Sequence, residues 1–186
     1  MASSSFSANL EFFADAVENT AFYLWHNTPL GRLAVNLNPF RADPNQTMSE
    51  EEQTLTLYGY RIYGSPWHPM PYYDFYASRG YGLLEKWKKI PTDTDILVTH
   101  TPPLGHGDLA NWNVCKGMLA GCVELLDTIE KRVKPKYHVF GHVHPMHGVT
   151  TNDTTTFINA CICDRHKEPV NPPIIFDLPL LDGHVK

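Results

Sequence analysis

The sequence has few cysteines, no long apolar run and no excess of basic residues. Four cysteines in 186 residues are too few for a disulfide scaffold, so a reducing, cytoplasmic location is expected. No apolar stretch approaches the roughly 18 residues that a membrane-spanning helix needs. The N-terminal residues lack the basic segment and following apolar segment of a secretory signal. These absences predict a protein that does not act in a membrane.

Charge and composition exclude a further class of protein. The 15 Lys and Arg residues are outnumbered by 20 Asp and Glu residues, which gives a formal net charge of −5. Binding to a nucleic-acid backbone depends on clustered basic side chains, so no nucleic-acid polymer is expected as a partner. A hydrophobic content of 42% is enough for a core, and the length suits one domain. The counts that stand out are 10 His and 15 Pro.

The N-terminal segment differs in pattern from the remainder of the chain. Apolar residues recur at helical spacing from Leu10 to Ala21 and predict a short amphipathic helix. Residues 27–53 are rich in turn and breaker residues, which predicts a loop. We therefore interpret residues 1–54 as a divergent segment, partly helical or loop, and residues 55–186 as the C-terminal part of a domain.

From residue 55 onward, predicted strands alternate with predicted helices. The pattern predicts strands over residues 55–63, 95–99, 137–140, 155–163 and 174–178, and amphipathic helices over residues 80–90 and 121–134. This alternation indicates an α/β fold. Folds of this class place ligands and catalytic groups at the carboxyl ends of their strands.

Two of the predicted strands end in histidine. The run ILVT is followed by His100, and the run HVF is followed by Gly141, His142, Val143 and His144. His142 and His144 face the same side of the chain if it stays extended there. Neutral imidazoles in such a cluster suit zinc, manganese or iron. A single strand-end histidine is more often a surface residue. With the two motifs together, a metal-binding role and a structural role are about equally expected.

Several longer segments resemble the calcineurin-like metallophosphoesterases and, more narrowly, the animal metallophosphoesterase domain-containing proteins. They are GSPW, DILVTHTPPLGHGDL, GCVELLDTIEKRVKPKYHVFGHVHP and NPPIIFDLP, in the family's order, between residues 57 and 180. The resemblance implies the family's fold, a sandwich of two β-sheets flanked by helices, here as an incomplete C-terminal portion. It also implies hydrolysis of a small phosphoester, and within this subfamily phosphodiesters, including cyclic nucleotides, are the expected substrates.

The resemblance also assigns candidate site residues. His100 matches the histidine of the family's fourth motif and His142 the first histidine of G-H-x-H, both ligands of the second metal. His144 matches the second histidine of that motif, a ligand of the first metal. The implied cofactors are two divalent ions, Mn²⁺ or alternatively Fe, Zn or Mg, which clamp the phosphate and activate the attacking water. His106 and Asp108, in the loop after His100, either line the substrate cleft or lie in an exposed loop.

The family's earlier motifs are not recognisable in this sequence. D-x-H, G-D and G-N-H-E, which supply the bridging aspartate and the remaining ligands, would precede the matched segments. The sequence has no G-N-H, its D-x-H triplets are at residues 164–166 and 182–184, and its G-D pair is at residues 107–108. The alternative interpretation is therefore a truncated, catalytically inactive relative. An incomplete sheet would also expose an edge, which favours self-association or a partner chain.

Other polar and reactive residues have structural interpretations. Asn159 matches an asparagine of the family and is predicted to be structural. Cys161 and Cys163 could bind metal as a C-x-C pair, but alternate positions on a buried strand explain them more simply. The aromatic segment from Trp67 to Tyr76 could stack a nucleobase, although packing over the core is the simpler expectation.

Overall fold

The structure, a computed structural model, describes residues 11–13, 21–24, 32–35, 37–38, 53–57, 59–71, 73, 75–111, 117–166 and 168–179. The strands are β1 (Glu11–Phe13), β2 (Ala21–Leu24), β3 (Arg32–Val35), β4 (Leu37–Asn38), β5 (Gln53–Leu57), β6 (Tyr60–Ser65), β7 (Ile96–Thr99), β8 (Leu109–Ala110), β9 (Met118–Leu119), β10 (Tyr137–Phe140), β11 (Gly148–Thr151), β12 (Thr156–Asn159) and β13 (Ile174–Asp177). The helices are α1 (Tyr81–Trp87) and α2 (Val123–Thr128), which continues as a π-helix over Ile129–Val133. A 3₁₀ turn spans His144–Met146.

A mixed sheet forms the centre of the part of the chain that the structure describes. Its strand order is β11-β12-β10-β7-β6-β5. The four inner strands are parallel, and β5 and β11 pair antiparallel at the two edges. Smaller sheets pair β1 with β2 and β2 with β4, β3 with β13, and β8 with β9. The predicted α/β class is confirmed.

Two apolar clusters fill the two faces of this central sheet. Successive side chains of a strand point to opposite faces, so Val98 and Val139 lie on one face while Leu97 and Phe140 lie on the other. The second face packs against α1 and α2. Parallel strands covered on both faces are continuous apolar runs, which explains the sequences of β7 and β10.

Helix α1 buries the residues that its spacing predicts, but the face predicted for α2 is only partly right. Of Val123, Leu126, Ile129 and Val133, the structure buries Ile129 and Val133, whereas Val123 is 49% exposed and Leu125 is buried in its place. Leu83 and Trp87 of α1 are four residues apart and fully buried. Leu125 of α2 and Ile129 of the π-helix repeat this spacing. No helix among the described residues is long and apolar enough to cross a membrane.

The N-terminal segment differs from its prediction. The predicted helix is wrong where the backbone is described, because β1 and β2 pair as antiparallel strands. The predicted loop over residues 27–53 contains β3 and β4, and β3 pairs with the distant strand β13. A local pattern cannot reveal such a distant partner, since strand formation depends on what the strand packs against. Residues 14–20 lie outside the described part, and the boundary at residue 54 stays a prediction.

The predicted strand over residues 55–63 is two strands. β5 and β6 form an antiparallel hairpin, with Leu57 opposite Tyr60. Gly59 lies in the turn at a φ of 82°, a left-handed conformation that glycine adopts without steric cost. The hairpin makes β6 an inner strand next to β7, and this brings the loop after β6 to the same sheet edge as the loop after β7.

Candidate functional site

Three adjacent parallel strands lead into loops that carry a histidine. His68 follows β6, His100 directly follows β7, and His142 follows β10 after one glycine. Because β6, β7 and β10 are parallel neighbours, their carboxyl ends meet at one edge of the sheet. The ring centroids of His68 and His100 are 5.1 Å apart, and those of His100 and His142 are 4.9 Å apart. The structure therefore brings the two predicted strand-end histidines together and adds a third.

His100 and His142 are in direct contact. His100 Nε2 lies 3.1 Å from His142 Nδ1, and the other nitrogen of His142, Nε2, lies 3.2 Å from Met70 Sδ. A thioether sulfur can only accept a hydrogen bond, so Nε2 of neutral His142 carries the proton. His142 Nδ1 therefore holds a lone pair, to which His100 Nε2–H donates.

His142 occupies a strained turn. Its φ is 67°, in the left-handed region that L residues other than glycine rarely adopt. Val143 N–H donates to Gly141 O over 2.7 Å, which closes a three-residue γ-turn centred on His142. Such strained residues are concentrated at functional sites. The turn bends the chain away from the direction of β10 and places the His142 imidazole beside His100.

His144 is oriented differently from the other two predicted ligands. It begins the 3₁₀ turn, and its Nδ1–H donates to the carbonyl oxygen of Asp164 over 3.0 Å. A neutral ring with its proton on Nδ1 presents its lone pair on Nε2. Histidines that bind metals usually have their other ring N–H hydrogen-bonded in this way.

Asn159, at the end of β12, joins the loops that surround the histidines. Its Nδ2 donates to Gly107 O over 3.0 Å and to Val143 O over 2.9 Å. Its Oδ1 accepts from Cys161 N–H over 3.1 Å. The amide therefore links the loop after His100 to the G-H-x-H segment, and the predicted structural role of Asn159 is confirmed.

Burial keeps the contacting histidines neutral. Desolvation is the main cause that holds the pKa of His100 well below its usual range, and the nearby imidazoles add to it. Burial, with His68 and His144 adding to it, lowers the pKa of His142 to about 4. Both rings therefore have lone pairs available at neutral pH.

His106 and Asp108 have contacts that hold their loop in place. The His106 ring stacks on Phe157 with centroids 3.7 Å apart, and its Nδ1 lies 2.9 Å from Thr150 Oγ1. Asp108 is buried rather than exposed, and its carboxylate accepts from Gly121 N–H over 3.2 Å. Their predicted substrate role stays a prediction.

Sequence reasoning missed His68 and Met70. His68 is buried, and its Nδ1 accepts from Met70 N–H over 3.2 Å. The signal was present, because a third apolar strand is followed by a histidine in the segment GSPWH. The sequence pattern does not separate the strand from its hairpin partner, and the aromatic residues after it predict a loop, so His68 does not stand out as a strand-end histidine.

The metal roles predicted for the three histidines stay predictions. Within the residues that the structure describes, no group of three or more His, Cys, Asp or Glu side chains is arranged to hold a metal ion. What the structure contains is a contacting pair, His100 and His142, and a nearby His144 with its Nε2 lone pair available. Cys161 and Cys163 are free, buried thiols, but β12 ends at Asn159, so they follow the strand on which they were predicted to lie.

Comparison with known proteins identifies the family. The family model for calcineurin-like phosphoesterases matches residues 11–146. A UPF0046 protein of Caenorhabditis elegans is 57% identical over 135 residues, which cover 73% of this chain and 48% of the relative. Metallophosphoesterase domain-containing protein 1 of Homo sapiens is 43% identical over 170 residues, which cover 91% of this chain and 51% of the relative. This chain thus spans about half the length of these relatives. The chain therefore belongs to the calcineurin-like phosphoesterase family, and its α/β fold is consistent with that membership.

Proposed function

We propose that this chain carries the histidine part of a metal-dependent phosphoesterase centre and takes part in hydrolysis of a small phosphoester. The observation that carries the proposal is the contact of His100 Nε2 with His142 Nδ1 at the ends of adjacent parallel strands. Membership of the calcineurin-like family supports a phosphoesterase hydrolase in general.

The nitrogen positions fit ligation of a metal ion. Two imidazole nitrogens bound to one tetrahedral zinc ion, each at about 2.0–2.1 Å, lie roughly 3.3 Å apart. His100 Nε2 and His142 Nδ1 are 3.1 Å apart, so the two lone pairs can serve one ion once His100 carries its proton on Nδ1. His144, through Nε2, would hold the second. A divalent cation at this place would neutralise the charge of the phosphoryl group and activate a water molecule.

The donor set favours a metal that accepts nitrogen ligands. Imidazole suits zinc, whereas magnesium and manganese prefer carboxylate and carbonyl oxygens. Among the ions that the family resemblance implies, the described side chains therefore support Zn²⁺ over Mn²⁺ and Mg²⁺. A carboxylate ligand from residues outside the described ranges would shift this preference toward Mn²⁺.

The family resemblance is what supports phosphodiesters as the substrate class. Phosphodiesters, including cyclic nucleotides, are the substrates expected within the subfamily that the sequence resembles, and membership of the calcineurin-like family supports a phosphoester substrate in general.

Cysteine usage and net charge support the proposed cellular location and the proposed size of the substrate. In the described part of the chain, Cys122, Cys161 and Cys163 are free thiols, which supports a reducing, cytoplasmic location. The net charge of −5 supports a small substrate rather than a nucleic-acid polymer. The edge strands β5 and β11 offer the place for self-association or a partner chain.

A second candidate is a metal-binding relative without hydrolytic activity. It is favoured by the lack of a carboxylate beside the imidazoles in the described ranges, together with the unrecognised D-x-H, G-D and G-N-H-E motifs. Hydrolysis by two ions requires both to be held on either side of the reacting phosphate. Under this alternative the chain binds metal and leaves phosphodiesters intact.

The test measures metal content and hydrolysis on the same samples. The purified chain is incubated with Zn²⁺ or Mn²⁺, desalted and analysed for metal. It is then assayed with bis(p-nitrophenyl) phosphate, p-nitrophenyl phosphate and cyclic AMP. His142→Ala removes one ligand of the pair. His147→Ala is the matched control, because that ring donates through Nε2 to Pro172 O, away from the pair.

The outcomes separate the two candidates. Bound metal with diester hydrolysis, both lost in His142→Ala and kept in His147→Ala, supports the proposed function. Bound metal without hydrolysis of any of the three compounds supports the silent relative. Equal metal content in the wild type and His142→Ala, at any level, contradicts both, because the pair would then hold no ion.

A further inference from the structure

Met70 lies against the nitrogen of His142 that faces away from His100. Met70 Sδ is 3.2 Å from His142 Nε2. The backbone of Met70 is held in turn, since its N–H donates to Nδ1 of His68 over 3.2 Å. His68 is 1% exposed and its ring lies beside that of His100. The loop after β6 therefore touches both rings of the histidine pair.

The chemistry of sulfur decides the proton position on His142. A thioether has no hydrogen to donate, so the contact requires the proton of the neutral ring on Nε2. The lone pair then lies on Nδ1, the atom that faces His100. In the other tautomer, Nδ1–H would face His100 and the Nε2 lone pair would face the sulfur lone pairs. That arrangement loses the contact with Met70 and reverses the contact with His100, whose Nε2 would then have to accept.

We infer that Met70 is a positioning residue, whose thioether accepts the Nε2–H of His142 and keeps the Nδ1 lone pair directed toward His100. The inference deepens the proposed function and rests on it for the statement that the lone pair serves a metal ion. Metal-binding histidines generally have such an outer partner, and its loss lowers metal affinity roughly 10- to 100-fold. His144 has a backbone carbonyl as its partner, whereas the acceptor that His142 finds in Met70 belongs to a side chain, which mutation can remove.

The experiment reads the tautomer directly. Long-range ¹H–¹⁵N NMR spectra of the histidine rings are recorded at pH 7.5 in the metal-free protein, for the wild type and Met70→Leu. Leucine keeps an apolar side chain of similar size and removes the acceptor. Met118→Leu is the matched control, because Met118 is 57% exposed on β9. Met70→Gln is the rescue, since its amide oxygen also accepts an N–H.

The wild type is expected to show His142 as a single tautomer with its proton on Nε2. In Met70→Leu, the two His142 ring nitrogens should shift toward the average of both tautomers, and Met70→Gln should return them. Affinity for Co²⁺, measured by titration, is expected to fall at least about tenfold in Met70→Leu. It should change less than twofold in Met118→Leu.

An unchanged tautomer in Met70→Leu overturns the inference, whatever the metal affinity does. If the wild type binds no Co²⁺, the proposed function fails while the NMR result still decides the role of Met70. If Met70→Leu does not fold, Met70→Gln carries the test. Retention of the Nε2–H form in Met70→Gln supports the inference, and a shift to the Nδ1–H form contradicts it.

Discussion

His138 and His142 are four residues apart in the sequence, but their rings contact different groups. Burial lowers the pKa of His138 to about 3 and that of His142 to about 4. His138 lies inside β10, fully buried, and its Nε2 is 2.8 Å from Thr99 Oγ1. The Thr99 hydroxyl donates its proton to Thr101 O over 2.7 Å, so His138 Nε2–H must be the donor to Thr99.

The comparison shows that a depressed pKa does not distinguish a site from a core. Desolvation is the largest cause for both rings. The neighbours differ, because His138 lies between the rings of Phe140 and Phe157, whereas His142 meets His100 and Met70. The arrangement of the nitrogens around His142 points to function, and the pKa alone does not.

The largest expected difference between the two histidines is in the loss of metal affinity when each is replaced. His142→Ala removes one of two ligands from the pair, and its affinity for Zn²⁺ or Co²⁺ is expected to fall at least about 100-fold. His138→Leu changes a ring that forms a hydrogen bond with Thr99 and packs against Phe140 and Phe157, and its affinity should stay within about threefold. Calorimetric titration measures both. Equal losses in the two variants would remove the distinction between core and site.

Acid stability should depend on the buried ring of His138, although His138 is not one of the proposed metal ligands. The pKa of His138 is about 3 in the folded state and about 6.5 in the unfolded chain. The unfolded chain therefore binds more protons between these values. The neutral ring gives its full stabilisation above pH of about 6.5, and this is lost as the pH falls toward 3. In His138→Leu the loss of unfolding free energy from pH 7.5 to 4.5 should be about 2.7 kcal/mol smaller than in the wild type.

Denaturant unfolding at the two pH values measures this difference. His106, stacked on Phe157, is the titratable neighbour that perturbs His138, and it is retained in the variant. His100 and His142 are also retained, so their contribution cancels. An identical pH dependence in His138→Leu and the wild type would mean that His138 becomes protonated without loss of the fold.

Backbone strain at His142 should produce the smallest of the three effects. Both His142→Ala and His142→Gly remove the imidazole, but only glycine adopts a φ of 67° without strain. His142→Gly is therefore expected to be more stable than His142→Ala by about 1 kcal/mol. Thermal or denaturant unfolding measures the difference. Equal stability of the two variants would show that the turn relaxes when the ring is absent.

The part of the fold that can be predicted from sequence is the part with local signals. β7 and β10 are apolar runs bounded by turns, and α1 is recognisable from Leu83 and Trp87 at helical spacing. The pairing of β3 with β13 brings together segments from opposite ends of the chain. No local pattern encodes such a pairing, so that region was predicted as loop.

The sequence predicts His100 and His142 of the candidate site, but neither His68 and Met70 nor the orientation of the rings. His100 and His142 are predictable because each follows an apolar strand, and adjacent parallel strands end together. The lone-pair directions depend on Met70 Sδ and Asp164 O, which come from other loops. These partners are set by tertiary packing, and sequence spacing carries no information about them.

The contacts of the pair also determine when a cation can bind as the chain folds. His142 is 42 residues from His100 and 72 residues from Met70. The ring nitrogens meet only after β6, β7 and β10 have docked side by side, and such non-local pairing is slow. A cation held by the pair therefore binds the folded chain in preference to the unfolded chain. At a concentration 100 times its Kd, it would stabilise the folded state by about 2.7 kcal/mol.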